Sequence, residues 1–250
     1  MGFYDLTKEE RLKKTEQIYS TILRHLEKNS IKPFPFFSDG DTYIRKAAYQ
    51  SIGKIFNLRP EMREQIVRVL EKSIVDKNYY IRQTTINAAG EIGIKQFGII
   101  ESFFDRGLFD DHHSVRNAVI GSIKKMGEKN PGPVLQWAKK YLHHPDKEIR
   151  REICHGIELR GRTHPEDILP LLKELQHDPT ARVRNTLVHV LGQISYKKDC
   201  LKKVILHLRK WEDKDLTTKA ITEIIDVHDR YKDFAVLSQE EAKRYIDNNI

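Results

Sequence analysis

Ile44, Ala48, Ile52 and Ile55 fall on one stripe of a helix, with polar residues between them. The stripe returns as Ile81, Thr85, Ala89, Ile92, as Val115, Val119, Ile123, Met126, and as Val183, Leu187, Leu191, Ile194. Each stripe opens on an apolar residue followed by Arg: Ile44-Arg45, Ile81-Arg82, Val115-Arg116, Ile149-Arg150 and Val183-Arg184. The arginines stand 37, 34, 34 and 34 residues apart. A fixed period of that length is the mark of stacked helical repeats.

Between the stripes lies a second apolar helix per repeat, exemplified by residues 65–74, 133–142, 168–175 and 201–208. Pro133, Pro165 and Pro170 are expected near helix starts, where a missing N–H costs little. Gly90, Gly127, Gly161 and Gly192 are expected at helix stops. The residue two after each Arg is small in four copies, Ala47, Thr84, Ala118 and Thr186, which suits close packing of neighbouring helices. Six residues before the Arg stands an Asp in four copies, Asp39, Asp76, Asp110 and Asp178, and His144 in the remaining one. An Asp there suits a turn or a helix cap. Sustained two-residue alternation is absent, so no sheet is expected.

A helix pair with Asp-x4-[Val/Ile]-Arg between its helices resembles the HEAT repeat over roughly Pro33 to Leu208. The tetratricopeptide repeat shares the period, but its Trp/Gly/Tyr/Pro pattern is missing. The resemblance implies an all-α, right-handed α-solenoid of about five to six HEAT-like helical pairs. It also implies that Asp and Arg stitch one repeat to the next by charge-assisted hydrogen bonds. A single domain over 1–250 is expected: an N-terminal helix in 1–32, five repeats in 33–208, and a degenerate sixth repeat with a terminal helix in 209–250. The first helix, 7–29, carries Leu12, Ile18, Tyr19, Ile22, Leu23 and Leu26 on its apolar face and is read as a cap. The sixth copy rests on Asp213, Thr218-Lys219 and the stripe Ile221, Ile224, Ile225.

Aligned copies give columns. One residue after each Arg stand Lys46, Gln83, Asn117, Arg151 and Asn185. Four further on stand Gln50, Asn87, Gly121, His155 and His189. Neither column holds a carboxylate, although 32% of the chain is charged. Such side chains can donate to phosphate oxygens without repelling them. In HEAT folds this helix resembles the inner, concave layer. With net charge +8, the columns point to a nucleic-acid partner, duplex DNA first.

The fourth copy departs from the rest: Glu152 replaces the small residue, and Arg160 replaces Ile or Met. Such local violations mark functional or strained sites, so Arg160, Arg162 and the carboxylates Glu152 and Glu158 join the candidates. The segment 110–178 resembles the bacterial HEAT-like-repeat DNA glycosylases of alkylation repair. That resemblance implies a basic surface holding duplex DNA, and a carboxylate supporting a cationic sugar as an alkylated base leaves. Glu152 and Glu158 would fill that role, with Glu91 behind them. One branch of that family frames its site with tryptophans near an Asp, and this chain has Trp137 and Trp211.

The alternative is a non-catalytic scaffold that holds a protein partner along an apolar strip of Ile86, Ile120, Cys154 and Val188. No cofactor is expected, since P-loop and dinucleotide fingerprints are absent. No metal is expected either: His112-His113 and His143-His144 sit in turns without ligand-spaced partners. Cys154 and Cys200, few and far apart, fit free thiols in a reducing cytoplasm, and a monomer is expected. No apolar run approaches membrane-spanning length.

Overall fold

The computed structural model describes residues 2–250, and helices make up all of its regular structure. The chain divides into two compact units, Met1–Asn130 and Pro131–Ile250. The first holds α1 (Lys8–Glu27), α2 (Thr42–Leu58), α3 (Arg63–Ser73), α4 (Tyr79–Gly107) and α5 (His113–Lys129). The second holds α6 (Pro131–Tyr141), α7 (Lys147–Gly156), α8 (Glu158–Gly161), α9 (Pro165–Lys173), α10 (Ala181–Gln193), α11 (Cys200–Leu208), α12 (Lys214–Arg230) and α13 (Gln239–Asp247).

In the first unit α1, α2, α4 and α5 stack in that order, with α3 against α4. In the second, α7, α10 and α12 stack, while α9 packs on α11 and α13 closes on α12. The helices that carry Arg therefore form one layer in each unit. The stripe residues Ala48, Ile52, Ile55, Val119, Ile123, Leu187 and Leu191 are all fully buried beneath it. Helix α1 covers the end of its stack with Ile18, Ile22 and Leu26, while Leu12 stays out in solvent. Thr7 and Glu10 form a reciprocal cap at its start.

The successive hairpins join through a one-residue corner. Arg59, Gln96, Asn130 and His164 share φ between −126° and −139° with ψ between 59° and 78°. Each lies fourteen residues after its arginine, and all but Gln96 precede a proline: Pro60, Pro131 and Pro165. Proline disfavours the α region for the residue before it, which forces the bend there. At Gln96, followed by Phe97, the chain bends without a proline, so the second and third repeats run through one kinked helix, α4. The three extra residues of the first period sit in a 3-10 turn, Pro60–Met62, just past the corner.

Several sequence expectations need correction. Pro170 lies inside α9 rather than at its start. Gly127, Gly161 and Gly192 do fall near the ends of α5, α8 and α10, whereas Gly90 lies inside α4, and no glycine among the described residues has positive φ. Gly90 and Gly192 sit where stacked helices touch. A Cβ on Gly192 would meet Glu223 Cγ at 2.7 Å, and one on Gly53 would meet Glu91 Cβ at 2.4 Å. The Asp six before each Arg is a turn residue, and the cap falls two places later: Asp41, Asn78, His112, Asp146 and Thr180.

Candidate functional site

The invariant arginine has two tasks. Its Nη1 donates to the main-chain carbonyl six residues back in every copy: Asp39 at 2.5 Å, Asp76 at 2.8 Å, Asp110 at 2.6 Å, His144 at 2.7 Å, and Asp178. A backbone acceptor is indifferent to the side chain it belongs to, so His144 can stand in the Asp column. The Asp carboxylates meanwhile accept the N–H two residues on, as at Asp110 and Asp178 at 2.8 Å. His144 Nδ1 does the same at 3.1 Å.

The expected ladder between repeats is seen at Arg82 and at Arg150. Arg82 donates twice to Asp110, at 2.7 and 2.9 Å, and Arg150 twice to Asp178, at 2.5 and 3.1 Å. Burial alone would raise both carboxyls, but the arginine and turn N–H bonds outweigh it and hold them below the ordinary range. Arg45 instead lies over the Tyr80 ring, 4.5 Å from its centroid.

Lys46, Gln83, Asn117, Arg151 and Asn185 are each the fifth residue of their helix. Lys46, Asn117 and Asn185 are exposed; Gln83 and Arg151 are half-buried. In the second column Gln50 and Gly121 are exposed, and Asn87, His155 and His189 half-buried. Both columns therefore reach solvent, on α2, α4 and α5 in one unit and on α7 and α10 in the other. Beside the first unit's columns a depression of about 190 Å³ is lined by Tyr49, Asn87, Glu91 and Lys125, the last two paired at 2.6 Å.

The fourth repeat is a charge network rather than a set of open cations. Its helix breaks at Ile157, between α7 and α8. Glu152 and Glu158 are 6% and 1% exposed. Arg151 reaches Glu148 at 2.9 Å and Glu152 at 3.5 Å, and Glu148 also takes Arg182 at 2.9 Å. Glu158 accepts Arg162 Nη2 on Oε1 at 2.6 Å, and its Oε2 lies 2.8 Å from His155 Nδ1. Arg162 also donates to the Gln193 side-chain Oε1 at 2.8 Å. Arg160 turns away to Asp167 at 2.6 Å, not toward Glu152. Gln193, Glu148 and Glu223 were not among the sequence candidates, because each reaches a candidate or clamp helix of another repeat, through Arg162, Arg182 and His189 respectively.

The scaffold strip is not exposed. Ile86 and Cys154 are fully buried, Ile120 is 8% exposed, and only Val188 is half-buried. Burial pushes the Cys154 thiol far above its ordinary range. Both tryptophans are core residues, each 1% exposed. The turn histidines are structural: His112 Nδ1 accepts Ser114 N–H at 3.2 Å and its ring stacks on Tyr79. Among the described residues no helix is long and apolar enough to cross a membrane.

Residues 133–224 match the HEAT repeats family. The matched segment holds the clamps of Arg150 and Arg184, and the first unit repeats the same clamp geometry at Arg45, Arg82 and Arg116. Among solved structures, AlkD2 from Streptococcus mutans is 16% identical with a TM-score of 0.54, over 88% of this chain and 100% of that one. A domain of crescerin, which uses a TOG domain array to regulate microtubules in the primary cilium, is 16% identical with a TM-score of 0.52, over 82% and 90%. At such identity both likenesses concern the fold. The comparison with curated proteins finds no match.

Proposed function

We propose that the chain binds nucleic acid, duplex DNA in the first place, through the two polar columns of its arginine-bearing helices. The observation that carries this reading is the register. The same helical position, fifth in each, offers Lys, Gln, Asn or Arg to solvent and never a carboxylate. Donors repeated at one position of stacked helices suit a repeated anion such as the phosphate backbone. The net charge of +8 adds a sequence-independent attraction. The resemblance of 110–178 to alkylation-repair glycosylases favours DNA over other polyanions. The peptide-scaffold reading lacks an exposed apolar strip.

Excision is the further step that the glycosylase resemblance suggests, with Glu158 and Glu152 as the carboxylates. Both are buried and paired, so a sugar reaches Glu158 only by displacing His155. Binding is therefore the primary activity, and excision the test of whether the network opens.

The experiment is fluorescence anisotropy of a labelled duplex across a salt series, with Asn117→Asp and Asn185→Asp as near-isosteric variants that add only charge. Each variant should weaken binding about tenfold, the scale of one poorly screened like-charge contact. Wild-type affinity should fall with salt, with a log–log slope of about −0.9 per phosphate engaged. Absence of binding at low salt, or indifference to both variants, refutes the proposal. Release of an alkylated base that is lost in Glu158→Gln would extend it to catalysis.

A further inference from the structure

The second column ends in two histidines, one repeat apart, and the break in the fourth-repeat helix brings a carboxylate beside them. His155 is on α7, Glu158 opens α8, and His189 is on α10, which packs against α7. One donor atom from each lies within 4.8 Å of the other two. We infer that His155, Glu158 and His189 form a binding site for a divalent transition-metal ion of the zinc type.

The donor set is the first argument. Two imidazoles and one carboxylate suit zinc and its neighbours, not calcium or magnesium, and leave a coordination position open. Geometry is the second. Tetrahedral zinc, with bonds of about 2.0–2.2 Å, holds its ligand atoms about 3.4 Å apart. The present span, from 2.8 Å for His155 Nδ1 to Glu158 Oε2 up to 4.8 Å, brackets that value.

The surroundings are the third argument. Arg162 donates to Glu158 Oε1, which fixes the carboxylate and leaves Oε2 on the histidine side. Arg162 is itself held by Gln193, a residue 1% exposed. Glu223 of α12 stands 3.8 Å from His189 Nδ1, the place of an outer carboxylate that orients a metal-bound imidazole. Glu158 is buried while His155 and His189 have side chains 36% and 44% exposed, so the anchor is rigid and the entry open. The sequence hides the set: 34 residues separate the histidines, and the spacing that unites them is the repeat itself.

The test needs no nucleic acid, so its outcome is separate from that of the binding reading above. Full-length protein is titrated with Co²⁺, followed by its visible ligand-field absorption, and with Zn²⁺ by calorimetry. One equivalent should bind with the spectrum of a tetrahedral nitrogen–oxygen site. His155→Ala and His189→Ala, both at half-exposed positions, should each weaken binding at least about a hundredfold; loss of an outer partner alone costs about 10–100-fold. His143→Ala, in an exposed turn, should leave it unchanged. Glu158→Gln is read only beside a circular-dichroism check, because it strands Arg162. No Co²⁺ spectrum in the wild type, or equal binding by wild type and the two alanine variants, overturns the proposal.

Discussion

Asp178→Ala tests the ladder most directly. In the folded protein its carboxylate takes two bonds from Arg150 and one from the Thr180 N–H, with the two side chains only 3% and 11% exposed. Stranding one partner of a buried ion pair costs about 3–5 kcal/mol. Arg150 would keep the His144 and Pro145 carbonyls at 2.7 and 2.9 Å, which places the loss at the lower end, about 3 kcal/mol. The control is Asp146→Ala in the same unit. That exposed carboxylate caps only the Glu148 N–H, a loss of about 1 kcal/mol. Trp137 and Trp211 both lie in residues 131–250, so tryptophan fluorescence during urea unfolding reports on this unit. With a slope of about 3 kcal/mol per molar, the midpoint should fall by about 1 M for Asp178→Ala and a third of that for Asp146→Ala. A double-mutant cycle with Arg150→Met should return a coupling of at least about 2 kcal/mol. Equal shifts for the two aspartates, or no coupling, would refute the claim that Arg150 and Asp178 join the repeats.

Other outcomes follow from the same structure. The Asp178 carboxyl is depressed on folding, so its contribution is present above the unfolded carboxylate pKa of about 3.9 and is lost as pH falls through the lower folded value. The gap between wild type and Asp178→Ala in urea midpoint should therefore shrink between pH 5 and 3. Gly53→Ala should lower thermal stability, though alanine is the better helix former, because its Cβ would lie 2.4 Å from Glu91 Cβ; a raised melting temperature would contradict the close packing of α2 on α4. Cys154 and Cys200 are both buried, with thiols raised by burial. Neither should react with a disulfide reagent until the protein is unfolded, and fast labelling of the native protein would contradict that.

Much of the fold was legible because the repeat copies its own constraints. Val119, Ile123, Leu187 and Leu191 are buried as their spacing requires, and Ser238 with Glu241 caps α13 where the terminal helix was expected. What the sequence misplaced were features set by neighbours. Gly90 looks like a helix stop in isolation, but it is a contact point for the next helix. Arg160 stood out in the sequence only as a charge in an apolar column, and its partner, Asp167, is supplied by the following helix, α9. The columns were readable, since helix position fixes which side chains reach solvent. Around Glu158, His155 and Arg162 stand at readable helical spacing, but Gln193 and Glu223 arrive from later repeats at no local spacing.

The corner residues also bear on how such a chain can change length. In the first four copies fourteen residues run from clamp to corner, and both ends are anchored: one by a guanidinium on backbone carbonyls, the other by a bend of fixed dihedrals. One residue inserted in that stretch would turn the buried stripe by about 100° on its helix. The extra three residues of the first period sit beyond the corner, in the 3-10 turn. Growth and loss are thereby confined to that joint or to whole modules, so the natural unit of duplication runs from one bend to the next, as from Gln96 to Asn130.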